Sequence, residues 1–259
     1  MGGGPGHAST TVLKPLSQAN REPGREVIFA VVTLLHAVLK PFTRRDWRNQ
    51  DKVPSTGGVV FVANHISNVD PLVIGQYLAF SGRWPRFLAK ASLFRVPVLG
   101  AVLRGCGQIP VQRGSAAAKD ALSAAVAAVR DGRAVVVYVE GTITLDPGLW
   151  PMRGRTGAAR IALQTGAPVI PLGQWGAQDI MYGKRIHFPK LLPRKTLRVL
   201  AGDPVPLDDL REEPMTGAVL AEATERILAS LTALVAELRA EPPPVQRYDP
   251  RLDAPGVQP

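Results

Sequence analysis

Gly58-Val59-Val60-Phe61-Val62-Ala63-Asn64-His65-Ile66-Ser67-Asn68-Val69-Asp70-Pro71 passes from an apolar, β-branched run into a polar turn and then into a helix start. The run has the composition of a buried strand. Asp70 followed by Pro71 has the form of a helix N-terminus, with a carboxylate at the cap and proline at the first helical position. His65 is therefore expected in the turn at the carboxyl end of a strand, with a carboxylate five residues on where the next helix begins. Such a pair lets the carboxylate hold one imidazole nitrogen and leaves the other to accept a proton, which is a general-base arrangement.

Working outward, strands alternate with helices. Strands are expected at Val59–Ala63, Arg86–Ala89, Gln108–Gln112, Ala134–Val139, Val169–Gly173 and Thr196–Ala201. Helices are expected at Pro71–Phe80, Pro97–Arg104, Ser115–Arg130, Thr156–Gln164 and Thr216–Ala240, two of them stopped by Asp131-Gly132 and Thr165-Gly166. This order predicts an α/β fold: a mostly parallel central sheet flanked by helices. Sites in such folds gather beyond the carboxyl ends of strands, where both His65 and Glu140 fall. Residues 1–24 read as a flexible tail, 25–50 as an apolar helical segment and 51–241 as one domain. Residues 242–259, opening near Pro242-Pro243-Pro244, read as a disordered C-terminal tail.

Of the 259 residues 46% are hydrophobic, enough for a real core, which excludes a disordered protein. The formal charge of +10 points to a polyanionic partner: nucleic acid, an anionic membrane surface or a phosphorylated small molecule. The single cysteine, Cys106, excludes an internal disulfide framework and a cysteine zinc cluster. No metal or P-loop or dinucleotide motif is legible. Val27–Leu39 is the most apolar run. As a helix it would span about 20 Å against roughly 30 Å of hydrocarbon core, too short to cross a bilayer. Arg21, Arg25, Lys40, Arg44, Arg45 and Arg48 flank it, which suits a helix lying in a membrane interface; the alternative is a core helix of a soluble domain.

Four further segments carry chemistry. Glu140-Gly141-Thr142 puts a carboxylate and a tight turn at a strand end. Gly107-Gln108-Ile109-Pro110-Val111-Gln112-Arg113 ends in an arginine suited to clamp a phosphate, the alternative being a surface arginine. Arg153 and Arg155 lie in a Gly-bearing loop before a helix and suit an anion site. Val169-Ile170-Pro171-Leu172 reads as a core strand.

In this order the segments resemble the blocks of the glycerolipid acyltransferase family, the PlsC-like lysophosphatidic acid acyltransferases. An N-H-x4-D block is matched by Asn64, His65 and Asp70, and a G-x-I-x-x-x-R block by Gly107, Ile109 and Arg113. An E-G-T-R block is matched at Glu140, Gly141 and Thr142, and a V-x-P strand at Val169–Pro171. The resemblance spans about residues 55–205. It implies acyl transfer from acyl-CoA or acyl carrier protein to a hydroxyl of lysophosphatidic acid, or alternatively of another lysophospholipid or glycolipid acceptor, with no cofactor. His65 would be the general base and Asp70 its orienting partner. Asn64, Arg113, Glu140, Gly141, Thr142, Arg153 and Arg155 would bind substrate. The arginine that ends the third block is Ile143 here, so another arginine would have to meet the acceptor's phosphate. The resemblance also favours the interface reading of Val27–Leu39: a monotopic helix on an anionic membrane surface at the cytoplasmic face. Three rival readings have weaker support. A nucleic-acid binder would need interleaved aromatics, which are only 6% of the chain. A serine hydrolase would need a G-x-S-x-G elbow, which is absent. An inactive scaffold is favoured only by Ile143.

Overall fold

The computed structural model describes residues 14–19, 25–112, 117–183 and 188–252. Seven strands form one sheet in the order β1-β7-β6-β2-β5-β3-β4. They are β1 (Thr43–Arg48), β2 (Val59–Ala63), β3 (Pro85–Lys90), β4 (Ile109–Val111), β5 (Ala134–Tyr138), β6 (Val169–Trp175) and β7 (Lys195–Ala201). The five from β6 to β4 run parallel; β7 is antiparallel to β6, and β1 is parallel to β7. The helices are α1 (Arg25–Leu39), α2 (Asp70–Phe80), α3 (Leu99–Gly105), α4 (Ala117–Arg130), α5 (Gly157–Thr165), α6 (Asp208–Arg211) and α7 (Gly217–Arg239). A mostly parallel sheet flanked by helices was the expected class.

β2 sits between β6 and β5 and is buried on both faces, which explains its unbroken apolar run. Val60 and Val62 face the core built by α4, α5 and α7. Val59, Phe61 and Ala63 face the core shared with α2. A third cluster joins α1 to the body: Ile28 and Val32 pack with Ala79, Trp84 and Cys106.

Three features depart from the sequence reading. β1 was not expected: its sequence, Thr-Arg-Arg-Asp-Trp-Arg, is an edge strand whose charged residues hide the pattern. Because β1 belongs to the central sheet, the 25–50 segment is not separate from the body. The C-terminal segment up to Leu252 packs on the body: Arg153 N–H donates to the Tyr248 carbonyl at 2.9 Å, and Asp249 is buried, while 253–259 lie outside the described residues. At the other end, Lys14–Ala19 is placed, with Ala19 buried in the third cluster, and the rest of 1–24 lies outside the described residues. No helix among the described residues is long and apolar enough to cross a membrane.

Candidate active site

β2 and β5 run side by side in parallel register, so the loops leaving their carboxyl ends meet. Two hydrogen bonds zip these loops together. The His65 N–H donates to Glu140 Oε1 at 3.0 Å, and the Thr144 N–H donates to the His65 carbonyl at 2.7 Å. Both polar groups of the His65 backbone are thereby fixed by the loop after β5.

On the side chain, His65 Nδ1 lies 2.8 Å from Asp70 Oδ2. The same oxygen accepts the Ile66 N–H at 2.6 Å and the Ser67 N–H at 2.8 Å. The expected N-cap role of Asp70 needs correcting. Asp70 is the first residue of α2, Val69 takes the cap position, and no side chain caps the helix. The carboxylate turns back to three donors of the preceding loop instead of forward to the helix. Burial pushes the Asp70 carboxyl above its ordinary range, and the His65 hydrogen bond and the two backbone donors pull it back. In its ionised form it fixes the proton on Nδ1 and leaves Nε2 as the basic nitrogen, with no hydrogen-bond partner among the described residues. The His65 side chain keeps 16% of its surface open to solvent while Asp70 keeps none.

Tyr138, the last residue of β5, stacks on the imidazole with ring centroids 4.1 Å apart and planes 17° from parallel. Phe87 continues the stack at 6.1 Å. Burial, then the Asp70 charge, holds the Tyr138 hydroxyl well above its ordinary range, so it stays neutral. Tyr138 was not among the sequence candidates; an aromatic residue closing a strand two positions before Glu140 was the available signal. Ser67 was also missed. Its hydroxyl donates to the Met181 carbonyl at 2.6 Å and ties the His65 loop to the segment after β6.

The expected substrate binders divide into frame and surface. Glu140 belongs to the frame: it is buried, and its second oxygen accepts the Met152 N–H at 3.1 Å. Both carboxyl oxygens hold backbone, so Glu140 positions His65 and does not face an acceptor. Burial pushes its carboxyl up to about 8. Asn64 is also frame. Its Nδ2 donates to the Gln174 carbonyl at 3.0 Å, and its Oδ1 accepts the Gln174 N–H at 2.9 Å, locking β2 to β6. Arg153 pairs with Asp249 at 2.5 Å and anchors the C-terminal segment. Arg113 lies outside the described residues. Ile143 is 5% exposed, an apolar plug where the resembling family has arginine.

Gly141, Thr142 and Arg155 remain at the surface. Gly141 has φ +71°, and a Cβ there would lie 2.9 Å from Arg155 Cδ and Nε, so the arginine packs directly on the turn. Arg155 is exposed and has no ion-pair partner among the described residues. A hollow of about 530 Å³ elsewhere on the surface is bordered by Arg104 and Arg133 and includes none of these residues.

The acyltransferase family model matches residues 44–175, from β1 to the end of β6. A chloroplastic 1-acyl-sn-glycerol-3-phosphate acyltransferase, BAT2, from Brassica napus is 32% identical over 143 residues, covering 54% of this chain and 40% of that protein. A 1-acyl-sn-glycerol-3-phosphate acyltransferase from Borreliella burgdorferi is 31% identical over 123 residues, covering 47% of each. The chain thus spans less than half the length of these two curated relatives. An N-acylphosphatidylethanolamine synthase from Arabidopsis thaliana is 26% identical over 207 residues, covering 72% of each. Among solved structures, the 1-acyl-sn-glycerophosphate acyltransferase PlsC from Thermotoga maritima has the same fold. Its TM-score is 0.61 at 20% identity, over 83% of this chain and 82% of that one.

Proposed function

The chain belongs to the acyltransferase family, and from that premise we propose that it moves a fatty acyl group from a thioester, acyl-CoA or acyl carrier protein, to the hydroxyl of lysophosphatidic acid. The observation that carries this reading is the His65 Nδ1 to Asp70 Oδ2 hydrogen bond, which leaves Nε2 unpartnered among the described residues. An alcohol is a poor nucleophile at neutral pH and needs a base as it attacks. Nε2 takes the hydroxyl proton while the oxygen bonds to the thioester carbonyl carbon. The tetrahedral intermediate then collapses, the C–S bond breaks, and the imidazolium returns the proton to the thiolate. Asp70 stabilises the imidazolium through Nδ1. No covalent acyl-enzyme is needed.

The oxyanion requires donors. The Gly141 N–H is spent on the Tyr138 carbonyl at 2.8 Å. The N–H groups of Ile66 and Ser67, just before the start of α2, are spent on Asp70. The Thr142 and Ile143 N–H groups come directly after Gly141 and have no hydrogen-bond partner among the described residues, so they take this role. Arg155, without an ion-pair partner among the described residues and packed on the same turn, meets the acceptor's phosphate in place of the arginine missing at Ile143. Exposed Phe29, Leu34 and Val38 give α1 an outer apolar face, while Ile28, Val32 and Leu39 bury the inner one. That division suits a helix packed on the body and lying in the cytoplasmic face of a membrane.

One observation favours a second reading, in which the acceptor carries no phosphate monoester: Ile143 fills the arginine's place with a buried apolar side chain. The test is acyl transfer with radiolabelled acyl-CoA and acyl carrier protein against a panel of lysophospholipids. Diacyl product from lysophosphatidic acid, reduced about 10²–10⁴-fold in His65→Ala, is the expected result. Asp70→Asn should fall nearly as far. Arg155→Ala should raise the apparent KM for lysophosphatidic acid with kcat little changed. Full turnover in His65→Ala would remove the mechanism. Product only from a phosphodiester or uncharged acceptor would establish the second reading.

A further inference from the structure

We infer that the segment between β3 and α3 is a lipid-docking prong, with Val96–Leu99 entering the acyl region of an anionic bilayer beside the active site. The inference rests on the reading that the acceptor is a lipid. β3, β5 and β2 are mutually parallel, so the chain leaves all three at the same edge of the sheet. The His65 loop comes after β2, the Glu140 turn after β5, and residues 91–99 after β3. On this one edge stand exposed apolar side chains: Leu93, Val96, Val98 and Leu99 on the prong, Leu72 at the start of α2 and Leu145 after the Glu140 turn. Val98 at the tip is 78% exposed, a position where a β-branched apolar residue gains nothing from the fold.

The tip is shaped by its own backbone. Val98 has φ +62°, a conformation that valine adopts only under strain. The Leu99 N–H donates to the Pro97 carbonyl at 2.6 Å, and the Gly100 N–H donates to the Val96 carbonyl at 2.8 Å. Gly100 admits no Cβ, which would lie 2.2 Å from the Phe94 carbonyl oxygen. Arg104 donates to that same oxygen at 2.7 Å and braces the turn from α3. A strained turn braced in this way holds two valines and a leucine out from the body.

Charge selects the occupant. From Pro71 to Lys119 the chain has seven lysines and arginines and no aspartate or glutamate. Arg83 and Arg86 are buried, but Lys90, Arg95 and Arg104 are exposed around the prong. An apolar tip in a cationic collar fits an anionic lipid surface, with the side chains in the acyl layer and the guanidinium groups among the headgroups. Docking there turns the carboxyl edge, and His65 with it, towards the layer that holds the lipid acceptor.

The test uses the full chain and vesicles of phosphatidylcholine with and without phosphatidylglycerol. Val98→Asp and Val96→Asp should sediment with anionic vesicles about ten-fold or more weakly than wild type, the loss expected from withdrawing one buried apolar side chain. Leu252→Asp, exposed on the C-terminal segment, should bind as wild type does. Turnover of a water-soluble short-chain lysophosphatidic acid should be kept in Val98→Asp, while turnover of vesicle-borne acceptor falls with binding. Undiminished vesicle binding in both prong variants would overturn the inference. So would loss of soluble-substrate turnover together with binding, which would place Val98 in the reaction site. A wild type that self-associates and ignores vesicles would assign the face to a second copy. Wild-type protein that binds vesicles through Val98 yet acylates no acceptor would remove the proposed function and leave the docking surface standing.

Discussion

Glu140 shows how one side chain can serve a site without touching substrate. Its oxygens accept N–H groups from His65 and Met152, so it joins the loops after β2 and β5 to the segment before α5. Thr144 is a third polar neighbour of this carboxyl. The Thr144 hydroxyl donates to the Trp150 carbonyl at 2.8 Å. Burial pushes the Glu140 carboxyl up to about 8, with the hydrogen bonds from Met152, His65 and Thr144 pulling it back. A carboxyl raised on folding holds its proton in the folded chain after the unfolded chain has released it. Its effect on stability is therefore absent below about pH 4.5 and grows more unfavourable up to about pH 8. Glu140→Gln, which does not titrate, should be less stable than wild type at low pH, where an amide N–H₂ faces one of the two donors. Its thermal midpoint should then fall less than that of wild type between about pH 5 and pH 8. Parallel melting curves across that range would mean that Glu140 is ionised throughout. In the sequence the His65 and Asp70 pair was legible because both partners lie in one short turn. The roles of Glu140 and Asn64 were not, because their partners are 75 and 110 positions away. A polar residue at a strand end looks the same whether it meets a ligand or a distant backbone.

At the scale of elements, what the sequence displays depends on burial symmetry. β2 and β5 are buried on both faces and read as continuous apolar runs. β1 has one edge in solvent and a charged sequence, so neither alternation nor hydrophobicity betrays it. α1 left two readings open because it is two-faced: Ile28 and Val32 enter the core while Leu34 and Val38 stay exposed. The end of α7 is similarly silent in sequence. Arg239 lies between two indoles, 4.0 Å from the Trp150 ring and 4.4 Å from the Trp175 ring, and donates to the Gly148 carbonyl at 2.6 Å. One guanidinium thus staples the last turn of α7 to the end of β6 and to the loop beyond the Glu140 turn. Cation–π contacts of this kind contribute about 0.5–2 kcal/mol each. Arg239→Ala should lower unfolding stability in denaturant by about 1–3 kcal/mol and shift tryptophan emission, with acyl transfer per folded molecule kept. Arg239→Lys should recover only part, since a lysine lacks the planar fork that stacks between rings. Unchanged stability in Arg239→Ala would make the sandwich incidental packing.

For the whole molecule, the proposed docking makes the +10 charge and the exposed apolar side chains two contributions to one attraction, and salt separates them. The Debye length shrinks from about 10 Å at 0.1 M to about 3 Å at 1 M, so charges held outside the headgroups stop contributing while buried apolar area does not. A basic protein attracted by charge alone would leave anionic vesicles entirely at high salt. With the prong inserted, wild-type binding should weaken steeply with salt and then level off at a residual that is independent of the anionic lipid fraction. Val98→Asp should start from a similar salt slope, since the exposed cations near the tip are untouched, and lose the plateau. Leu34→Asp on α1 provides the comparison: if α1 shares the membrane contact, its plateau falls as well, and if α1 only packs on the body, its plateau matches wild type. A salt curve that runs to zero in the wild type would assign the attraction to charge alone and return the exposed valines to the solvent.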